Sequence, residues 1–140
     1  EDSLESSIAR RLAAAGKTLA VAETLTAGHL AQSFASLHDA AAFFRGGLVA
    51  PISIRRAGEE NARDLAAAVR KLFKADIALA IDGYWESDDK EVKSGAFIAI
   101  DDGVSVENHS PGMPGRLPQF TRRILTYALS TLLNKPPVVD

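Results

Sequence analysis

The chain has 140 residues, the size of one domain with one hydrophobic core, so we expect a single domain over residues 1–140. Apolar residues make up 46% and charged residues 24%, which is typical of a globular protein. The net charge is −2, and the basic residues form no stripe, which argues against a nucleic-acid partner because such binding neutralises phosphates. Cysteine is absent, which excludes disulfides, thiolate catalysis and cysteine metal sites.

The sequence also indicates where the protein works. No apolar run reaches the roughly 18 residues that a membrane span needs, so we expect no membrane partner. The acidic, polar start EDSLESS does not resemble a signal peptide. The lack of cysteine fits a reducing compartment. We therefore expect a cytoplasmic protein.

The first half of the chain alternates between helical and strand periodicity. The predicted elements are a helix over 3–15, a strand over 18–22, a helix over 27–37 and a strand over 43–50. Gly16 is a natural stop for the first helix. Thr26 is the expected cap of the second helix, and Pro51 ends the second strand.

The second half continues the alternation and closes on a helix. The predicted elements are a helix over 59–73, strands over 77–81, 96–100 and 104–109, and a helix over 117–133. The runs IALAI and AFIAI are continuously apolar, which is typical of strands covered on both faces. Asp102-Gly103 predicts a hairpin turn after the strand AFIAI.

This order of elements predicts an α/β fold, a three-layer α/β/α sandwich around a mostly parallel mixed sheet of about five strands. Ligands of such sheets bind beyond the carboxyl ends of the strands. Three polar stretches are expected to converge there, beginning at Glu23, after Ala50 and at Asp82.

The stretch LAVAETLTAGHLAQSFAS resembles the opening of the CinA C-terminal domain family (competence/damage-inducible protein A), whose motif reads AESCTGG after a short strand. FFRGGLVA is similar to that family's second strand, and HSPGMPGRLPQFTRRILTYALSTLL to its terminal segment. The similarity extends over about residues 4–133. It implies an α/β/α fold and the family's activity, hydrolysis of the amide of nicotinamide mononucleotide to nicotinic acid mononucleotide and ammonia. It implies no metal and no other cofactor.

The family uses a serine nucleophile within AESCTGG. By position, Glu23 matches the glutamate, Thr26 the threonine and Gly28 the second glycine. Thr24 occupies the place of the nucleophilic serine, and Ala27 replaces the first glycine.

Further departures surround this motif. Leu25 replaces the cysteine, and His29 replaces a usually apolar residue. Pro51 stands at a tyrosine, and Asp82 at the threonine of the family's TGIAGP. After Pro51 the chain is shorter than the family by about a dozen residues, so the lysine of that segment has no counterpart.

Three residues are candidates for catalysis: Thr24, Glu23 and His29. A threonine becomes a nucleophile when a base accepts its proton, although its methyl group crowds the attack. The alternative is that the Thr24 hydroxyl bonds the turn backbone. Glu23 and His29 could move protons, against the alternatives of a solvated strand end and an exposed histidine.

The candidate ligand-binding residues are Thr26, Ala27, Gly28, Asp82 and Gly83. Free N–H groups of Ala27 and Gly28 at a helix start would suit an anion. Asp82 and Gly83 could face the same cleft, or they could simply form a turn. The three histidines and the carboxylates lack the spacing of metal ligands, so no metal site is expected.

Whether the chain is an enzyme stays open. The first interpretation is a degenerate nicotinamide-nucleotide amidase with lost or altered activity, an amidohydrolase of a pyridine-nucleotide amide if active. The alternative is a non-catalytic nucleotide- or anion-binding module, or an oligomeric interaction module. The expected partner is a small molecule, a pyridine nucleotide or another anion. Small α/β domains often dimerise, so a homo-oligomer is a further expectation.

Overall fold

A five-stranded sheet organises the chain in the computed structural model, which describes residues 3–87, 90–112 and 117–135. The elements are α1 (Leu4–Ala15), β1 (Leu19–Glu23), α2 (His29–Ala35), β2 (Phe44–Val49), α3 (Glu59–Leu72), β3 (Ile77–Ser87), β4 (Val92–Asp101), β5 (Val106–His109) and α4 (Leu117–Asn134). The strand order is β2-β1-β3-β4-β5, and only β4 runs against the others. The predicted order of helices and strands is confirmed.

Helices cover both faces of the sheet. α3 packs on one face, and α1, α2 and α4 occupy the other. In β1, Leu19 and Val21 point into the core under α1, α2 and α4, whereas Ala20 and Ala22 point towards α3. The face under α3 is built largely from alanines, including Ala66 of the helix itself, so α3 packs closely on the sheet. The predicted three-layer sandwich is confirmed.

Individual residues account for both ends of α1 and for the turn between β4 and β5. Ser3 caps α1 by accepting the N–H of Ser6, and Gly16 ends it in the left-handed region with φ 67°. The β4–β5 hairpin turns where predicted, with Asp102 accepting N–H groups from the loop. Burial raises the pKa of Asp102, but those N–H groups and the Lys135 ammonium outweigh burial and hold that pKa below its usual range.

The predicted bounds are wrong chiefly at the start of α2, at the end of β3 and at the start of β4, which begins at Val92 instead of residue 96. α2 begins at His29 instead of residue 27, because residues 24–28 form a turn in which Ala27 is left-handed. β3 continues through Asp82 and Gly83 to residue 87, because β4 pairs with it over that whole length. Asp82 and Gly83 therefore lie inside a strand and form no turn.

None of the helices in the described ranges is both long and apolar enough to cross a membrane. Residues 113–116 of the terminal segment that resembles the CinA family lie outside the described residues.

Candidate functional site

The carboxyl ends of the parallel strands bring the expected polar residues to one edge of the sheet. Glu23 is in register with Val49 of β2 and Ile81 of β3, and the N–H of Ala50 donates to the Glu23 carbonyl. Asp82 follows Ile81 directly. The predicted convergence of these three stretches is confirmed.

The Glu23 carboxylate caps α2 from the neighbouring strand. One oxygen accepts the Thr26 hydroxyl at 2.6 Å and the N–H groups of Gly28 at 2.8 Å and Leu30 at 3.0 Å. The other oxygen accepts the N–H of Ala31 at 2.7 Å. Glu23 is 1% exposed, so the alternative of a solvated strand end is wrong. A negative charge here also complements the helix dipole.

This capping arrangement corrects two expectations about the helix start. The N-cap of α2 is Gly28, without a side-chain bond, and Thr26 donates to Glu23 instead of capping the helix. The N–H of Gly28 is taken by Glu23, and that of Ala27 donates to the Thr24 carbonyl at 3.1 Å. The expected free N–H groups of Ala27 and Gly28 are therefore occupied within the protein.

Thr24 belongs to a second cluster, on the opposite face of the sheet. Its hydroxyl donates to one Asp82 oxygen at 2.7 Å. The other Asp82 oxygen accepts the N–H of Gly58 at 3.1 Å and the Asn61 amide at 3.0 Å, both at the start of α3. Thr24 is 6% exposed and Asp82 1%. The distances suit a nucleophile (Thr24), a base (Asp82) and a group that orients the base (Asn61). The same bonds equally make Asp82 a cap of α3 that is contributed by a neighbouring strand.

The three catalytic candidates do not form one group. Glu23 ends β1 and Thr24 follows it directly, and the hydrogen bonds of their side chains run to opposite faces of the sheet. Glu23 bonds α2, and Thr24 reaches Asp82 and α3. His29 is exposed in the first turn of α2. The structure thus unites Thr24 with Asp82, and Glu23 with Thr26 and Gly28.

Gly83 is buried, and packing accounts for its identity. A Cβ at this position would lie 2.3 Å from the Gly95 carbonyl oxygen and 2.9 Å from the Leu25 side chain. Leu25 is itself 3% exposed and fills the space beside the strand. Gly83 allows this close approach of Leu25 to the β3–β4 pair.

A cavity of about 630 Å³ opens beside the start of α2, between α1 and α4. Small-molecule sites commonly have this size. The cavity is lined by Leu4, Glu5, Leu25, Thr26, Ala27, His29, Ser33, Thr121, Arg122, Leu125, Thr126 and Leu129. Three predicted site residues, Thr26, Ala27 and His29, lie in this wall. Arg122 was not predicted, because only the packing of α4 beside α2 brings it there.

The described residues contain no cluster of three histidine, aspartate or glutamate side chains arranged to hold a metal. The ionisable side chains on the cavity wall are Glu5, His29 and Arg122. The wall therefore carries one carboxylate and one guanidinium beside leucines, the mixture of apolar and polar groups that is common in small-molecule sites.

Ala27 has a backbone conformation that suits glycine. Its φ is 50°, in the left-handed region where a Cβ costs about 1–2 kcal/mol. We expect Ala27→Gly to stabilise the protein by about 0.5–1 kcal/mol, after the greater freedom of glycine in the unfolded chain is subtracted. Urea unfolding would measure this. Ala57→Gly, at an alanine without positive φ, should be destabilising by about that amount. Destabilisation by Ala27→Gly would contradict the argument.

The protein is an α/β sandwich, and its polar candidate residues lie at the carboxyl ends of the parallel strands. The family model described as CinA C-terminal domain matches residues 1–51, which include β1, the AETLTAG motif and β2. A putative competence-damage inducible protein from Natranaerobius thermophilus is 28% identical, over 94% of this chain and 36% of that relative. The chain thus spans about a third of that relative's length.

Solved structures agree on the fold. The competence damage-inducible protein A from Klebsiella pneumoniae superposes with a TM-score of 0.84 at 24% identity, covering 94% of each chain. A CinA superfamily protein from Enterobacter cloacae gives 0.83 at 24% identity, over 93% of this chain and 88% of that one. The resemblance seen in the sequence is confirmed by the match over residues 1–51, and the fold of the chain is similar to that of solved CinA superfamily proteins.

Proposed function

We propose that this chain is a CinA-like binding domain in which the amidase motif has become structural. The observation that carries the proposal is the pairing of its polar groups. Thr24, Glu23, Thr26 and Asp82 are each at most 6% exposed, and each is hydrogen-bonded within the protein. An amide hydrolase needs a nucleophile that substrate can reach and free donors for the developing oxyanion.

The donors for an oxyanion are already engaged. The N–H groups of Ala27 and Gly28 bond Thr24 and Glu23, so a tetrahedral intermediate would have to break those bonds. The cavity wall includes Thr26 and Ala27 but not Thr24. A ligand in that cavity would therefore meet the α2 side of the motif, while the Thr24 hydroxyl faces α3.

The second candidate function is an altered amidohydrolase, which the 2.7 Å bond between Thr24 and Asp82 favours. In that mechanism Asp82 accepts the Thr24 proton as the Thr24 oxygen attacks the amide carbon, and Asn61 holds Asp82 in place. Asp82 then gives the proton to the amide nitrogen as the C–N bond breaks and ammonia leaves, and water hydrolyses the ester that remains on Thr24. Burial of Thr24 and the occupied N–H groups make us prefer the binding function.

The ligand we propose is a small organic anion, such as a pyridine nucleotide, in the cavity between α1, α2 and α4. Arg122 supplies a permanent positive charge for a phosphate or carboxylate, and His29 lies on the same wall. Leu4 and Leu125, which are partly exposed on the same wall, provide an apolar surface for a ring.

Ammonia release from nicotinamide mononucleotide tests the catalytic part of the proposal. We expect no release above buffer from the native protein or from Thr24→Ser, because a serine would keep the bond to Asp82. Release by the native protein that Thr24→Ala abolishes would instead establish the altered amidohydrolase. Release that survives Thr24→Ala would assign turnover to another group.

Calorimetric titration of nicotinamide mononucleotide and nicotinic acid mononucleotide tests the binding part. We expect Arg122→Ala to weaken binding about tenfold, in line with the loss of a charged hydrogen bond. Arg63→Ala, an exposed arginine of α3 on the other face, is the matched control and should leave binding unchanged. Equal effects of both variants, or no binding at all, would contradict a ligand in this cavity.

A further inference from the structure

The free edge of β2 is apolar at its carboxyl end. In the described sheet β2 pairs with β1 alone, so its outer backbone groups lack a strand partner. Four of the seven large exposed hydrophobic residues among the described residues lie in one stretch of seven, Leu48, Val49, Ile52 and Ile54. Their exposed fractions are 39%, 53%, 39% and 53%. We call these four residues the edge patch.

Natural proteins usually protect such edges with charge, proline, a bulge or a cover. In β2 the one charged residue, Arg45, coincides with the bulge at the beginning of the strand. From Gly46 to Val49 the strand carries neither charge nor proline. The opposite edge differs, because β5 has only four residues and carries Glu107 and His109. The unprotected edge is therefore specific to the second half of β2.

We propose that a second copy of this chain occupies this edge, with the two β2 strands antiparallel about a two-fold axis near Gly47. A two-fold axis perpendicular to the sheet pairs residues that point to the same face. Centred on Gly47, it places Leu48 of each copy opposite the partner's Gly46. The sheet then continues through the interface as ten strands.

The two ends of this edge are complementary to each other. Phe73 lies over Gly46, since a Cβ there would approach its ring to 2.6 Å. Leu72 beside it is 66% exposed. Leu48 lies two residues after Gly46 and shares its face. In the antiparallel pair, Leu48 of one copy therefore packs beside Leu72 and Phe73 of the other, and the two-fold axis repeats the contact.

The apolar area suits a weak, reversible dimer. The edge patch and Leu72 together expose the equivalent of two and a half whole residues, and we expect the dimer to bury about half of that apolar surface, on the order of 250 Å² per copy. Interfaces are a little over half apolar, so two such surfaces imply about 1,000 Å² in total, the lower end of specific interfaces. We therefore expect a dissociation constant of about 10–100 µM.

Sedimentation equilibrium of the native protein across this concentration range tests the proposal. We expect a monomer–dimer equilibrium that Leu48→Lys weakens at least tenfold, as does Leu72→Glu. The double variant Leu48→Lys/Leu72→Glu should recover affinity, because the ammonium introduced in each copy would then meet the carboxylate introduced in the other. Val104→Lys is the control, since Val104 is 80% exposed on the distant β4–β5 hairpin and should have no effect.

Each other outcome overturns the proposal. A native protein that stays monomeric to about 500 µM would leave the edge to a different partner or to solvent. Dimerisation that Leu48→Lys and Val104→Lys affect equally would locate the interface elsewhere. Failure of the double variant to recover affinity would exclude the antiparallel arrangement. Circular dichroism of each variant verifies that it is folded.

Discussion

Replacing Glu23 with alanine should lower the free energy of unfolding by about 3–5 kcal/mol, the range for breaking a buried, charge-assisted network. The variant leaves the Thr26 hydroxyl and the N–H groups of Gly28, Leu30 and Ala31 without their acceptor. It also opens a cavity where the Glu23 side chain was fully buried. Thermal or urea unfolding measures the loss.

Two variants make this result interpretable. Glu23→Gln keeps the volume but places an amide donor against at least one N–H group, so we expect a smaller loss of about 2 kcal/mol. Glu60→Ala removes an exposed carboxylate from the first turn of α3 and should cost less than about 1 kcal/mol. If alanine at position 23 changed stability no more than alanine at position 60, the capping role of Glu23 would be wrong.

Much of the fold follows from local chemistry. The acidic start, basic end and apolar stripe of α3 predict it to within a residue, because helix dipole and amphipathicity act within the segment itself. Ser3 and Gly16 mark the ends of α1 for the same reason. The runs IALAI and AFIAI predict the two central strands, whose middle residues are almost fully buried.

The errors occur where distant segments decide the conformation. Thr26 has the residue type of a helix cap, but an acid on the preceding strand satisfies the helix N–H groups better. The length of β3 depends on pairing with β4, which the sequence around Asp82 does not record. Arg122 reaches the cavity only through the packing of α4. Local propensity carries no information about such contacts.

The candidate site illustrates the same principle at the scale of two residues. The sequence places Glu23 and Thr24 together, which favours one catalytic group. The hydrogen bonds of their side chains run to opposite faces of the sheet, so the motif becomes two caps, one for α2 through Glu23 and one for α3 through Asp82. Each cap uses a carboxylate from a strand end to fix the start of the helix on its own face.

Because Asp82 caps α3 and bonds Thr24, the effects of substitutions at these two positions on the free energy of unfolding should be coupled. We expect Asp82→Ala to cost about 2–4 kcal/mol, because it leaves the Thr24 hydroxyl, the Gly58 N–H and the Asn61 amide unpaired. Thr24→Val keeps the shape but removes the hydroxyl, which leaves one buried Asp82 oxygen without its threonine donor. We expect a loss of about 1–3 kcal/mol.

A double-mutant cycle tests whether the hydrogen bond between Thr24 and Asp82 stabilises the protein or whether the two residues are only neighbours. Once Asp82 is alanine, the Thr24 hydroxyl has already lost its acceptor, so Thr24→Val should cost little more. The two losses should therefore fall short of additivity by about 1–2 kcal/mol in urea unfolding. Thr24→Ser, which keeps the hydroxyl, is the matched control and should stay within about 1 kcal/mol of the native protein. Additive losses would show that the bond contributes nothing to stability. The case for Thr24 as a reserved nucleophile would then be stronger than the case for a cap, because a buried hydroxyl that stabilises nothing needs another reason to be there.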